Sequence, residues 1–171
     1  MIILEGYNAM RAQMMGDDIH AISKTIMMVT GGPYSHTEGR QSGGDVDISY
    51  SAEYGVGFRK KPIRYSNRYR WDDLIMPWSK TQEDDCVGIW EDMLVTGFEY
   101  DNVGVLGRAT DLNILKPDPV KIWCSKSFCR GAFQVDKRYE LFMNQYGFDE
   151  NIDPTPLMLM TRYYVEAKEK S

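Results

Sequence analysis

At 171 residues the chain has the length of one domain and can bury roughly two thirds of the surface its unfolded form exposes, enough for a core without a metal or disulfide staple. A formal charge of -5 and a pI near 5.1, with no long block of one sign, weigh against a nucleic-acid partner. No run of about 18 apolar residues occurs, so no transmembrane segment is expected, and the N-terminal pattern lacks a signal peptide, which predicts synthesis in the cytoplasm.

The first predicted element is a helix over 17–30. Asp17 and Asp18 stand at its start, Ile19, Ile22, Ile26 and Met27 repeat at helical spacing, and Gly31 with Gly32 ends it. Pro33 disfavours further helix, so the chain turns extended and His36 opens a strand. Gly43 and Gly44 read as a hairpin turn into a strand over 46–54, where Val46, Ile48 and Tyr50 alternate with Asp47, Ser49 and Ser51. Shorter strands are expected over 56–59 and 73–76. Between them lie Arg59, Lys60, Lys61, Arg64, Arg68 and Arg70, either a solvated strand edge and loop or a groove for an acidic ligand.

Thr81 and Asp84 form a capping-box pattern ahead of Cys86, Val87, Trp90, Met93 and Leu94, which predicts a long amphipathic helix ending near Gly97. A short helix with Val103, Val105 and Leu106 and a loop containing Pro117 and Pro119 lead to a helix starting at about Cys124. Phe128, Cys129, Ala132 and Phe133 lie on that helix's apolar face. A last helix, capped by Thr155 with Pro156 at its first position, packs Leu157 to Val165 on the body and frays over 166–171. The eleven methionines serve chiefly as core filler.

Three cysteines without C-x-x-C spacing, and only two histidines, predict neither a disulfide framework nor a zinc site. Cys86 reads as a small core residue. Cys124 differs, because the first turn of a helix sets its thiol against the positive end of the helix dipole, where a thiolate is favoured. A nucleophilic cysteine also needs a base, and His36 is the histidine in a rigid context. Its other ring nitrogen needs an acceptor: Glu38 shares its strand face, and Ser51 and Glu53 lie on the next strand.

Gly32-Pro33-Tyr34-Ser35-His36, Ser51-Ala52 before Gly55-Val56-Gly57-Phe58-Arg59, Phe98-Glu99-Tyr100-Asp101 with Gly104 following, Ile122-Trp123-Cys124-Ser125 and Thr155-Pro156-Leu157 occur in this order. Together they resemble the circularly permuted papain-like cysteine hydrolases, the YiiX-like branch of the NlpC-type cell-wall peptidase superfamily, over nearly the whole chain. The resemblance implies an α+β fold of papain-like type, an antiparallel sheet packed with helices, with the nucleophile at a helix N-terminus. It implies Cys124 as nucleophile, His36 as base and Glu38, ahead of Ser51 and then Glu53, as third catalytic member, with Tyr34 over the site. Two positions depart from the family pattern: Lys126 stands where Cys-Ser-Glu is usual, and Ser51-Ala52 where Glu-Ala is frequent.

The expected activity is hydrolysis of an amide or ester bond through an acyl-enzyme, with a peptide or acyl substrate, foremost a cell-wall peptide, and no cofactor. The alternative is a catalytically retired domain acting as a structural component, for instance of a phage particle. A nucleotide-binding module is disfavoured, since no glycine-rich phosphate loop is present.

Overall fold

The computed structural model describes residues 1–63, 67–101, 118 and 121–170. The short helix expected around Val103 to Leu106, the loop prolines Pro117 and Pro119, Gly104, Arg64 and Ser171 lie outside the described residues.

The architecture is α+β, a five-stranded antiparallel sheet packed with helices, and its strands run in the order β4-β3-β2-β1-β5. The strands are β1 (Ile2–Asn8), β2 (Tyr34–Gln41), β3 (Ile48–Glu53), β4 (Gly57–Pro62) and β5 (Trp71–Ile75); every pairing is antiparallel. The N-terminal Ile-Ile-Leu run, absent from the predicted elements, forms β1. It is a central strand, paired with β2 on one edge and β5 on the other, and its side chains are buried on both faces; a strand covered on both faces lacks the polar alternation that marks half-buried ones.

Six described helices accompany the sheet: α1 (Ala9–Met14), α2 (Ala21–Thr30), α3 (Lys80–Thr96), α4 (Cys124–Val135), α5 (Lys137–Gln145) and α6 (Pro154–Glu169). Helix α2 starts later than expected. His20 caps it through Nδ1, accepting from Ile22 N at 3.3 Å, while Asp17 binds Arg70 Nη2 at 2.5 Å. Its predicted stop holds, with Gly31 in the left-handed region at φ 62°. The box that opens α3 is Ser79 with Gln82, two residues ahead of the expected Thr81 pair, and Gly97 closes the helix.

Helix α5 was not predicted, although Asp136 is a strong cap: Oδ1 accepts from Arg138 N and Tyr139 N, and Oδ2 from Trp78 Nε1 and Tyr164 OH. Helix α6 begins at Pro154 rather than Pro156, with Asp153 in the cap position. Thr155 is turned inward instead, its Oγ1 accepting from Tyr34 N and donating to Tyr34 O, both at 3.2 Å.

Strand periodicity sorts the sheet into two unlike faces. Leu4, Gly39, Tyr50, Ala52 and Phe58 fall on the face against which α3, α4 and α6 pack. Trp90 stacks on Tyr50 at 5.0 Å between ring centroids and donates Nε1 to Ser127 O at 3.2 Å. Gly39 makes this approach possible, because a Cβ there would stand 2.3 Å from the Trp90 ring. The opposite face carries Glu5, His36, Glu38, Arg40, Ser49, Ser51, Arg59 and Asp73, an ionic layer in which Glu5, Glu38, Ser49 and Ser51 are buried.

Of the described basic residues of 59–70, Lys60 and Lys61 are exposed on the edge strand β4, as the solvated-edge reading expects, and the charges of the run are balanced locally. Each described member pairs with a carboxylate: Arg59 with Glu38 and Glu53, Lys60 with Glu91, Lys61 with Glu53, Arg68 with Glu5 and Asp73, Arg70 with Asp17. No described helix is long and apolar enough to cross a membrane.

Candidate active site

The site forms where β2 and β3 part. Their pairing covers Gly39 to Gln41 on β2 and stops at Tyr50 on β3, whereas β3 and β4 stay paired through Glu53. Beyond that point the Thr37 backbone is served by side chains. Its C=O accepts from Ser51 Oγ at 2.9 Å, and its N–H donates to the Cys124 sulfur.

Cys124 is the first residue of α4, with Trp123 in the extended cap position at φ -124° and ψ 178°. The turn is anchored by its own side chains. Trp123 Nε1 donates to Ser125 Oγ at 3.1 Å, Ser125 Oγ donates to Ile152 O, and Ser127 Oγ donates to Cys124 O at 2.6 Å. Lys126, where a carboxylate was expected, is 1% exposed, its Nζ 3.3 Å from Asp118 O, 3.9 Å from Glu150 Oε1 and 5.3 Å from the Trp123 ring centre. Burial lowers its pKa, and the Glu150 carboxylate opposes that shift.

His36 lies on β2 and hydrogen-bonds the Cys124 thiol. Its Nε2 stands 3.0 Å from Glu38 Oε1. Of the three predicted acceptors, Glu38 takes the role. Ser51 Oγ is 3.5 Å from Nε2 and is committed to Thr37 O, so the hydroxyl does not orient the ring as a main partner. Glu53 binds Arg59 and Lys61 at the rim and makes no hydrogen bond to His36. Tyr34 does not lie over the site either; it is buried and donates its hydroxyl to Asp72 Oδ2 at 2.7 Å.

Burial works against ionisation of Cys124, but the imidazolium charge, its hydrogen bond and the N–H groups of Thr37 and Ser125 outweigh it and hold the thiol below its ordinary range. Burial likewise disfavours the charged imidazole, yet the thiolate and then Glu38 push His36 up to about 10. Glu38 stays ionised despite burial, because His36, Arg59 and Ser49 all stabilise the carboxylate. The favoured state is thus a thiolate and imidazolium pair. In contrast, burial raises the thiol pKa of both Cys86 and Cys129.

A cleft of about 460 Å³ opens onto His36 and Glu38. Ile22, Ile26, Tyr7 and Trp71 form an apolar wall, with the Trp71 ring edge-on to His36 at 6.2 Å; Glu53, Arg59 and Lys61 form a charged wall. Tyr100 also lines it, packed edge-on against Tyr54 at 6.1 Å and tied to the segment before Cys124 by its bridge to Ile122. Cys124 itself is 3% exposed and sits behind the lining, next to His36 and Tyr100. Among the described residues no group of three or more His, Cys, Asp or Glu is arranged to hold a metal ion.

Arg59, Ser49 and the Thr37 N–H are further members of the site to which the sequence analysis gave no role. Arg59 is visible in the chain as part of a basic run and as the end of the Gly55 to Arg59 stretch. Its alternation with Phe58 and Lys60 is the signal that sends it to the ionic face. No protein-family model matches the chain, and no curated protein is significantly similar to it.

Proposed function

We propose that the protein is a cysteine hydrolase of permuted papain-like type that cleaves an amide or ester bond, with cell-wall peptides as the foremost substrate class. The observation that carries this reading is the Cys124, His36, Glu38 chain at the start of α4, in which each member is hydrogen-bonded to the next. The order base before nucleophile, the helix N-terminal cysteine and the antiparallel sheet on which the histidine lies all agree with the resemblance.

In this mechanism the Cys124 thiolate attacks the carbonyl carbon and the carbonyl π electrons move to oxygen. In this reading the backbone N–H groups at the positive end of α4 donate to the oxyanion. Imidazolium His36 gives its proton to the departing nitrogen or oxygen as the carbon to leaving-group bond breaks, leaving a thioester. Water then attacks the thioester with neutral His36 taking its proton, the carbon–sulfur bond breaks, the acid product leaves, and the Cys124 thiolate and His36 imidazolium are restored; Glu38 holds the ring in place through both steps.

The near-complete burial of Cys124 favours a second reading, a retired site kept as a component of a larger assembly such as a phage particle. Turnover decides between them. Purified cell-wall peptides and p-nitrophenyl acyl esters are incubated with the wild type and with Cys124→Ser. Product formed by the wild type alone supports the hydrolase; no product on either class, with a thiol that reacts like free cysteine, supports the structural role.

A further inference from the structure

Glu38 has three cationic residues near it on its own face of the sheet, His36, Arg40 and Arg59, and a like charge opposite. It pairs with Glu5 across β1 and β2, and both side chains are buried, at 2% and 0% exposure. Directly opposed carboxylates repel. Arg40, two residues along β2, is the nearest rival to His36 for the Glu38 carboxylate. Arg40 is committed elsewhere, to Glu5 at 3.0 Å, Asp47 at 3.0 Å and Asp73 at 2.6 Å.

We propose that Arg59, on the edge strand β4, is the positioning residue that keeps Glu38 on His36. This rests on the Cys124 and His36 reading above. The Arg59 fork spans the whole arrangement: Nη2 donates to Glu38 Oε1 at 2.7 Å, Nη1 to Ser49 Oγ at 3.2 Å, and Nε to Glu53 Oε2. Ser49 Oγ in turn donates to Glu38 Oε2. Both oxygens of Glu38 are therefore fixed from β3 and β4, and the oxygen that Arg59 holds is the one that meets His36 Nε2. The Arg59 side chain is only 10% exposed, so solvent screens the pair little. A lysine would keep the charge but not the fork, since one ammonium cannot reproduce three donors in a plane.

The test is a double-mutant cycle between Arg59→Met and Glu38→Gln, read as the rate of Cys124 alkylation by iodoacetamide across pH 5 to 9. This small neutral reagent offers no carboxylate for Arg59 to bind, so a direct substrate contact does not enter. Each single variant is expected to slow labelling at pH 6.5 by about ten-fold or more, the scale of a lost hydrogen bond to a charged group. The double variant is expected to be no slower than Glu38→Gln alone, because Arg59 works only through that carboxylate. Arg59→Lys should recover part of the loss, and Ser49→Ala should show a smaller loss in the same sense.

Wild-type labelling in Arg59→Met, or losses that multiply in the double variant, overturn the assignment. Thermal unfolding of each variant is followed in parallel. If Arg59→Met does not fold, the cycle is run with Ser49→Ala and Arg59→Lys, and multiplying losses there overturn it equally. A wild-type Cys124 with an ordinary thiol profile is a different failure, which removes the Cys124 and His36 reading itself and the Arg59 role with it.

Discussion

Thr37 turns its backbone N–H to the Cys124 sulfur at the point where β2 and β3 separate. A strand residue two places short of the last β2–β3 pair thereby serves the first residue of α4, and the sheet opening becomes the socket of the Cys124 thiol. The adjacent His36 enters from the ionic face of the same strand. Strand and helix meet here because Gly39 admits Trp90, which in turn binds Ser127 O on α4.

That packing is testable without reference to chemistry. Gly39→Ala would place a Cβ 2.3 Å from the Trp90 ring, which is fully buried and hydrogen-bonded and has nowhere to move. We expect a loss of about 1–3 kcal/mol, as for other overpacked cores. Urea denaturation of the two proteins measures it, and unchanged stability would contradict the close approach.

The three cysteines should separate cleanly in the native protein. Cys86 and Cys129 are fully buried with raised pKa values, while Cys124 is lowered and borders the cleft residues. Peptide mass spectrometry after brief iodoacetamide treatment should find label on Cys124 alone, and none anywhere in Cys124→Ser. Label on Cys86 or Cys129 at a comparable rate would contradict the assignment.

Glu38 and Ser51 should differ in weight. Glu38→Gln keeps the shape but removes the charge that favours the imidazolium, and should lower turnover about a hundred-fold or more. Ser51→Ala removes a hydroxyl that is 3.5 Å from Nε2 and bonded to Thr37 O, and should cost within about ten-fold. kcat/KM for both variants on one substrate checks the order, and the reverse order would return the third role to Ser51.

The ionic site also predicts a pH window for stability. His36 is raised from 6.5 to about 10, so its contribution is fully present below pH 6.5 and is lost as pH rises toward 10. Glu38 is lowered, so its contribution is present above its ordinary pKa of 4.5 and is lost as pH falls below that value. Comparing Tm between wild type and His36→Ala should therefore show a gap that narrows as pH rises from 6.5 to 10. A gap that widens over that range would contradict the raised imidazolium.

The residues of the candidate site were more legible in the chain than the elements that hold them. Cys124 at a helix start and His36 and Glu38 two apart on a strand depend on local signals, the Gly31 stop, Pro33 and period-2 alternation, and the structure brings all three together. Strand β1 escaped because burial on both faces erases alternation. The α3 box was misplaced because Ser79 and Gln82 compete with Thr81 and Asp84 for one pattern, and the choice falls to Gln82, whose Nε2 reaches Val135 O at 2.9 Å. Thr155 looked like a cap but serves the Tyr34 backbone, a contact between residues far apart in sequence. Long-range partners of this kind, Arg59 with Glu38 among them, leave no local trace.

The most direct measurement is the pH dependence of iodoacetamide alkylation at Cys124 in the wild type and in His36→Ala. An ordinary thiol loses about ten-fold in thiolate for each pH unit below its pKa. The thiolate and imidazolium pair predicts labelling at pH 6.5 close to that at pH 8, lost in His36→Ala. A wild-type rate that falls ten-fold per unit through this range, unchanged by the substitution, would contradict it.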